Sequence, residues 1–187
     1  MTAMNKRELR LFLRSLAMGK DERAAQSEAL CRHILNSPAY ASACVIAGYA
    51  ALPGEADITP VLTDALRKGK RIALPLCDAA PRMTLREVTS LADLRPGAYG
   101  IPEPSGDAPV IPVQAVDLML VPLEGIDREG YRLGKGGGYY DCLLAEAQCL
   151  TMGCALRWQW TERVPRDSWD IPLGACADEA GIHGFHA

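Results

Sequence analysis

Ten consecutive residues, Arg132 to Asp141 (RLGKGGGYYD), gather two cations, four glycines, two tyrosines and a carboxylate. Arg132 can grip an oxyanion bidentately, and Lys135 can supply a mobile point charge. Gly134, Gly136, Gly137 and Gly138 let the backbone approach phosphate oxygens and adopt positive φ at little steric cost. Tyr139 and Tyr140 offer a flat face for an aromatic ligand and a phenol hydrogen bond. Asp141 has the chemistry of a magnesium ligand, because a nucleoside triphosphate is normally handled as its magnesium complex, which takes oxygen ligands. The stretch does not match G-x-x-x-x-G-K-[ST], since no Ser or Thr follows a Gly-Lys pair, and G-x-G-x-x-G fails as well. A phosphate-handling enzyme is the functional expectation; a glycine-rich hairpin or helix entry with a chance cluster of polar groups is the bland one.

The elements around the stretch decide whether it can bind an anion. The apolar run from Val116 to Val121 reads as a strand before it, and Cys142 to Leu150 can continue as a helix after it. Unpaired backbone N–H groups would then converge at the positive end of a helix dipole. Upstream, residues Asn5 to Met18 place Leu9, Phe12, Leu13, Leu16 and Ala17 on one helical stripe that ends at Gly19. The other face carries Lys6, Arg7, Arg10 and Arg14, which is either a solvated basic face or, with Lys6 and Arg10 one turn apart, a grip on a single ligand. Asp21 can cap a second helix running to about Asn36.

Cys44 to Tyr49 is a buried-strand candidate, followed by AALPGEADITP, where Pro53 and Gly54 force a turn and Thr59-Pro60 start a helix closed by Gly69. Glu55 and Asp57 therefore fall in a loop at the carboxyl end of a strand, where open α/β sheets bind ligands. Alternatively, Asp57 helps to cap the helix and Glu55 is merely solvated. Arg71 to Leu76 reads as the next strand, and two strand–helix–strand units in succession favour a mainly parallel sheet. Met83 to Val88 reads as a two-faced strand. The breaker-rich LRPGAYGIPEPSGDAP, stiffened by Tyr99, Ile101 and the prolines flanking Glu103, is a linker or a shaped loop walling a pocket. Met152 to Gln159 is read as a further strand, and the last residues, with His183 and His186, as a tail.

With 187 residues and 49% apolar content, the chain can bury one core without metals or disulfides. A single domain over residues 1–187 is expected. A formal net charge of -3 gives no electrostatic footprint for nucleic acid or an anionic membrane, so a small-molecule substrate is indicated. Seven scattered cysteines without a C-x-x-C spacing argue against a disulfide framework or a zinc knuckle, and most are expected to be buried fillers. No leader pattern or run of eighteen apolar residues is present, which points to the cytoplasm.

At these residues the sequence resembles the 5-formyltetrahydrofolate cyclo-ligase family, also called 5,10-methenyltetrahydrofolate synthetases. The resemblance runs in order over nearly the whole chain: KRELR at Lys6 to Arg10, GYAALPGEADI, YGIPEP, and DLMLVPLEGIDREGYRLGKGGGYYD, followed by a strand ending near Gln159 and a Val-Pro-to-Asp segment. Cys142 stands where many bacterial members have Arg, Lys135 occupies a variable position, and CADEAGIHG matches the usual last strand poorly. The resemblance implies a three-layer α/β/α fold with a mainly parallel sheet, related to sugar-phosphate isomerases and CoA transferases.

It also implies an ATP- and Mg2+-dependent conversion of 5-formyltetrahydrofolate to 5,10-methenyltetrahydrofolate with release of ADP and phosphate; a monomer is the separate expectation for the assembly. The γ-phosphoryl group would pass to the formyl oxygen, nitrogen 10 would attack the resulting iminium phosphate, and loss of phosphate would close the ring. By the same resemblance, Arg132 and Lys135 are the catalytic candidates. Lys6, Arg7, Arg10, Arg132, Leu133, Gly134, Lys135, Gly136, Gly137, Gly138, Tyr139 and Tyr140 would bind ATP. Ala50, Glu55, Lys135, Gly136, Gly137, Gly138 and Tyr139 would contact the folate, and Asp141 with Asp170 would hold magnesium. Two rivals stay open: a non-catalytic folate or nucleotide sensor, and a CoA transferase or isomerase that uses a catalytic Glu or an acid/base pair without ATP.

Overall fold

In the computed structural model, residues 4–79, 82–97 and 100–185 are described, so the expectations placed on Tyr99 and His186 lie outside them. A seven-stranded sheet is assembled from β1 (Val45–Ala47), β2 (Arg71–Ala79), β3 (Arg82–Val88), β6 (Leu118–Pro122), β9 (Leu150–Cys154), β10 (Ala175–Ala177) and β11 (Ile182–Gly184) in the order β11-β10-β9-β6-β1-β2-β3. The interior pairings from β10 to β2 are parallel, and antiparallel strands close both edges. All five β6 residues are buried, as expected for a parallel strand covered on both faces.

Alternation along the strands divides the core in two. Ile46, Ile72, Leu74, Leu118, Leu120 and Met152 pack against α2 (Lys20–Leu35), α3 (Pro38–Ser42) and α4 (Thr59–Arg67). Their neighbours Val45, Ala47, Ala73, Met119 and Val121 face Leu143 and Leu144 of α5 (Tyr139–Glu146) on the other side. This is a mixed α/β fold in three layers. α4 starts where Asp57 Oδ1 accepts the Thr59 N–H (2.9 Å), and it stops before Gly69 at φ 72°, so the capping alternative for Asp57 is the one observed.

Several boundaries move. α1 (Lys6–Ser15) buries only Leu9 and Leu13, in a small cluster with Leu133 and Val164, while Leu11, Phe12 and Leu16 stay exposed. The helix lies over the loops rather than on the sheet, so a narrow seam suffices. α2 begins after Gly19, which places Asp21 inside the first turn instead of at the cap; there it still complements the helix dipole. α5 begins at Tyr139, three residues before the expected start, and Leu150 already belongs to β9. That strand ends at Cys154, with a 3-10 turn following at Arg157–Gln159.

The supposed tail is the β10–β11 hairpin. Asp178 holds its turn: Oδ1 accepts the N–H groups of Ala180 (2.8 Å) and Gly181 (3.0 Å), and Oδ2 accepts Trp160 Nε1–H (2.9 Å) and pairs with His183 Nε2 (2.9 Å). Three of the seven cysteines, Cys31, Cys154 and Cys176, are buried, fewer than expected, and none of the seven is in a disulfide. The breaker-rich segment is a shaped loop and not a linker. It forms the hairpin β4 (Arg95–Pro96) and β5 (Pro102–Glu103), and it is tied to β3 by Glu87 N–H to Pro109 O (2.8 Å) and Ile111 N–H to Leu85 O (2.8 Å).

Candidate active site

The chain leaves β1 towards β2 on one side and β6 towards β9 on the other, so the sheet order reverses between β1 and β6. A crevice at the carboxyl ends of the strands follows from that reversal. The loop after β1 brings Glu55, the loop after β6 brings Glu124, and the turn after β9 brings Trp158 and Gln159. Gln159, 2% exposed, fastens all three: its Nε2 donates to Leu123 O (2.8 Å) and Gly54 O (3.2 Å), and its Oε1 accepts the Leu156 N–H (2.7 Å).

Between β6 and the glycine stretch the sequence reading had only a link. The structure has a small antiparallel hairpin there, β7 (Gly125–Ile126) and β8 (Arg132–Leu133), and Arg132 is therefore a strand residue. Asp127 is its anchor. Oδ1 accepts the N–H groups of Glu129 (3.0 Å) and Tyr131 (3.1 Å), and Oδ2 accepts those of Val164 (3.0 Å) and the Arg166 guanidinium (3.3 Å). Gly130 turns the hairpin at φ 86°. The D-x-x-G spacing in DREG was the available signal for this turn.

Beyond the hairpin the chain crosses Gly134–Gly138 into α5. Gly136 (φ 98°) and Gly138 (φ 73°) take the left-handed backbone, and Gly138 is an N-cap without a side chain. The first turn of α5 thus starts with no side-chain cap on its N–H groups, just beyond Lys135 of the cavity wall. The Arg132 side chain is 6% exposed and donates from Nη2 to Asp141 Oδ1 (2.8 Å). Its guanidinium carbon lies 5.4 Å from the Tyr140 ring centroid. Burial pushes the Arg132 pKa down, against the opposing charges of Asp141, Tyr140 and Asp170. Tyr140 is not the fully open stacking face expected of it: it is half-buried, packs against the core shared with α5, and its phenol pKa is driven up by desolvation.

α1 is docked onto this assembly by three of its cations, so its basic face is solvated only in part, at Arg7 and Arg14. Lys6 Nζ bonds Asp170 Oδ2 (2.5 Å) and Asp167 Oδ2 (2.8 Å); burial opposes its charge, yet the two acids outweigh it and raise the Lys6 pKa. Arg10 Nε donates to Gly134 O (2.7 Å), and Arg14 Nη2 donates to Glu124 Oε1 (2.6 Å). Arg7 is exposed, and among the described contacts only its backbone N–H, bonded to the Asn5 cap, takes part.

Glu55 and Lys135 meet at 3.3 Å, with Glu124 4.0 Å from the same ammonium. The Glu55 side chain is 7% exposed and accepts the Leu52 N–H at 2.8 Å, so it is not the solvated acid of the alternative reading. Desolvation raises its pKa despite that N–H and Lys135. Ala50 lies half-buried earlier in the same loop. Glu55, Lys135 and Glu124, but not Ala50, border a cavity of about 270 Å³ whose other walls include Leu13, Ala17, Arg23, Pro53 and Trp158. Glu124, Arg23, Trp158 and Gln159 were not among the expected site residues, because nothing in their local sequence distinguishes them. Asp141 and Asp170 contact cations here, and among the described residues no group of three His, Cys, Asp or Glu is arranged to hold a metal ion.

A family model described as the 5-formyltetrahydrofolate cyclo-ligase family matches residues 2–177. The chain is 30% identical over 172 residues to a 5-formyltetrahydrofolate cyclo-ligase of Haemophilus influenzae, covering 89% of this chain and 91% of that protein. It is 29% identical over 168 residues to the enzyme of the same name from Escherichia coli (strain K12), covering 87% and 92%. The solved structure of Aquifex aeolicus 5,10-methenyltetrahydrofolate synthetase superimposes with a TM-score of 0.87 at 35% identity, covering 98% of this chain and 94% of that one.

Proposed function

The chain belongs to the 5-formyltetrahydrofolate cyclo-ligase family, and from that premise we propose that it is the ligase that converts 5-formyltetrahydrofolate to 5,10-methenyltetrahydrofolate at the expense of ATP. The observation that carries this reading is the convergence, at the sheet reversal, of an uncapped glycine-rich helix start with Arg132, Lys6 and Arg10 on one side and the buried Glu55 on the other. The first suits a polyphosphate; the second suits the amino and amide donors of a pterin. The formyl oxygen is a poor leaving group until it is phosphorylated. Transfer of the γ-phosphoryl group to it gives an iminium phosphate, nitrogen 10 attacks that carbon and loses its proton, and phosphate departs.

No protein nucleophile is needed, so positioning and charge stabilisation do the work. In this reading Arg132 and Lys135 stabilise charge on the transferring group, and the N–H groups from Gly134 to Tyr140 hold the phosphates with Lys6 and Arg10. Arg7 joins them only if it moves from its exposed position. Glu55, Ala50 and Tyr139 contact the folate. Mg2+ favours one or two carboxylates together with waters and substrate phosphates, and Asp141, bonded to Arg132, and Asp170, bonded to Lys6, are the carboxylates that would hold it. Bound there, the ion would neutralise phosphate charge. We further propose that residues 1–187 work as one domain, as a monomer, in the cytoplasm and without a nucleic-acid partner. Among the described residues no helix is long and apolar enough to cross a membrane.

The test is to mix protein, MgATP and 5-formyltetrahydrofolate and to follow methenyl absorbance, with ATP omitted as the control. Product only with ATP is the expected result. Binding of both ligands without turnover would establish the sensor instead.

A further inference from the structure

Arg23 is a half-buried cation in the wall of the cavity; it has no ion pair among the described residues, and its Nε is buried without a hydrogen-bond partner. Most other cations of the site are held by acids: Lys6 by Asp167 and Asp170, Arg14 by Glu124, Lys135 by Glu55, Arg132 by Asp141. A buried donor on a charged group is costly to leave without an acceptor, so Arg23 marks a place where an anion belongs.

Its position says which anion. One turn further along α2, Gln26 Oε1 accepts the Arg157 N–H (2.9 Å), which sets Arg23 on the Trp158 side of the cavity. Glu55 and Lys135, bonded to each other, mark the side of the glycine stretch. The walls of this one cavity therefore combine a buried carboxylate, the apolar surfaces of Leu13, Ala17, Pro53 and Trp158, and an unpartnered guanidinium. A reduced folate carries the complementary groups: pterin donors, an aryl ring and the carboxylates of glutamate. At about 270 Å³ the cavity is also smaller than the roughly 300–1,000 Å³ that encloses a ligand of drug size, so the far end of a folate must lie along its mouth. Arg14, whose side chain is 59% exposed, adds a second cation at that mouth.

We propose that Arg23, supported by Arg14, is the carboxylate-recognition residue for the glutamyl tail of the folate and sets preference for glutamylated substrates. The inference rests on the folate reading of the same cavity. Guanidinium is the suitable group because its fork pairs bidentately with a carboxylate and stays charged.

The experiment compares equilibrium dissociation constants, by calorimetry, of 5-formyltetrahydrofolate monoglutamate, its triglutamate and 5-formyltetrahydropteroate, which lacks glutamate, for the parent protein and for R23A, R23K and R23E. The parent should bind the monoglutamate roughly tenfold more tightly than the pteroate, as for one charge-assisted contact, with a further gain for the triglutamate. R23A should abolish that ratio, R23E should invert it and R23K should restore part of it. Raising the salt concentration should shrink the ratio in the parent.

An unchanged folate-to-pteroate ratio in both R23A and R23E would overturn the assignment. So would weakened ATP binding with the folate ratio intact, because the guanidinium would then serve the nucleotide. If the parent binds all three folates with the expected ratio but forms no methenyl product, the tail site stands and the catalytic reading fails; if the parent binds none of them, both fall. A circular-dichroism melt of each variant separates misfolding from lost recognition, and R23K serves as the folded reference should R23A unfold.

Discussion

Asp127 and Arg132 are five residues apart in one small hairpin, yet they are treated in opposite ways. Asp127 is 1% exposed and receives four N–H donors, which saturate both of its oxygens. Arg132 is almost as deeply buried but is paired by one acid, with Nε left without a partner. The same contrast separates Asp178, which has four donors in the β10–β11 hairpin, from Glu124 and Arg23 at the cavity. Of the five buried side-chain atoms without partners among the described residues, three belong to Arg23, Glu124 and Arg132, all at the crevice. Saturated polar groups hold loops in place. Unsaturated ones cost stability and are tolerated where a ligand completes them.

The strongest way to break this contrast is Asp127→Ala. It strands three backbone N–H groups and one guanidinium contact, so denaturant unfolding should show a loss of about 3–5 kcal/mol, the usual cost of removing one partner from a buried pair. A loss below about 1 kcal/mol would mean that the hairpin is held by packing alone.

Arg132→Ala should instead spare the fold and strike turnover. Removal of one oxyanion partner typically costs about 10²–10³-fold in kcat. Methenyl formation at saturating ATP and folate measures this, and unchanged turnover would strip Arg132 of its role.

The smallest expected effect is on stability in Glu55→Gln. The folded-state pKa of Glu55 is raised by desolvation, so its carboxylate subtracts from stability. That deficit is absent below the unfolded pKa and complete above the folded pKa. Glutamine keeps an acceptor for the Leu52 N–H and removes the charge. Melting temperatures from about pH 4 to about pH 8 should therefore show a modest gain for the variant at the upper end that fades as the pH falls. Folate affinity should weaken at the same time. A variant less stable than the parent at the upper end would show that the Lys135 pair outweighs burial.

Much of the fold could be read from residue order. The runs at Val45–Ala47, Arg71–Ala79 and Leu118–Pro122, separated by the Pro/Gly turn at 53–54 and the helix closed by Gly69, announce parallel strands with their crossover. The β7–β8 and β10–β11 hairpins were missed for one reason. Strands of two or three residues carry too few side chains to show a period of two, and they persist because distant residues, Val164 and Trp160, bond their turn aspartates.

By itself, then, the sequence determined the local chemistry: glycines that let the backbone turn and open an uncapped helix start, cations spaced one turn apart on α1, and an acid in the loop after β1. Only the tertiary structure decided partners. It docked Lys6 on Asp170 across 164 positions and Arg10 on Gly134 across 124, it packed Tyr140 partly against the core, and it brought Arg23 and Trp158 to one cavity with Glu55 and Lys135. Spacing along a chain fixes which side chains share a face of one element. Which element that face meets depends on the sheet reversal between β1 and β6, a property of the whole strand order.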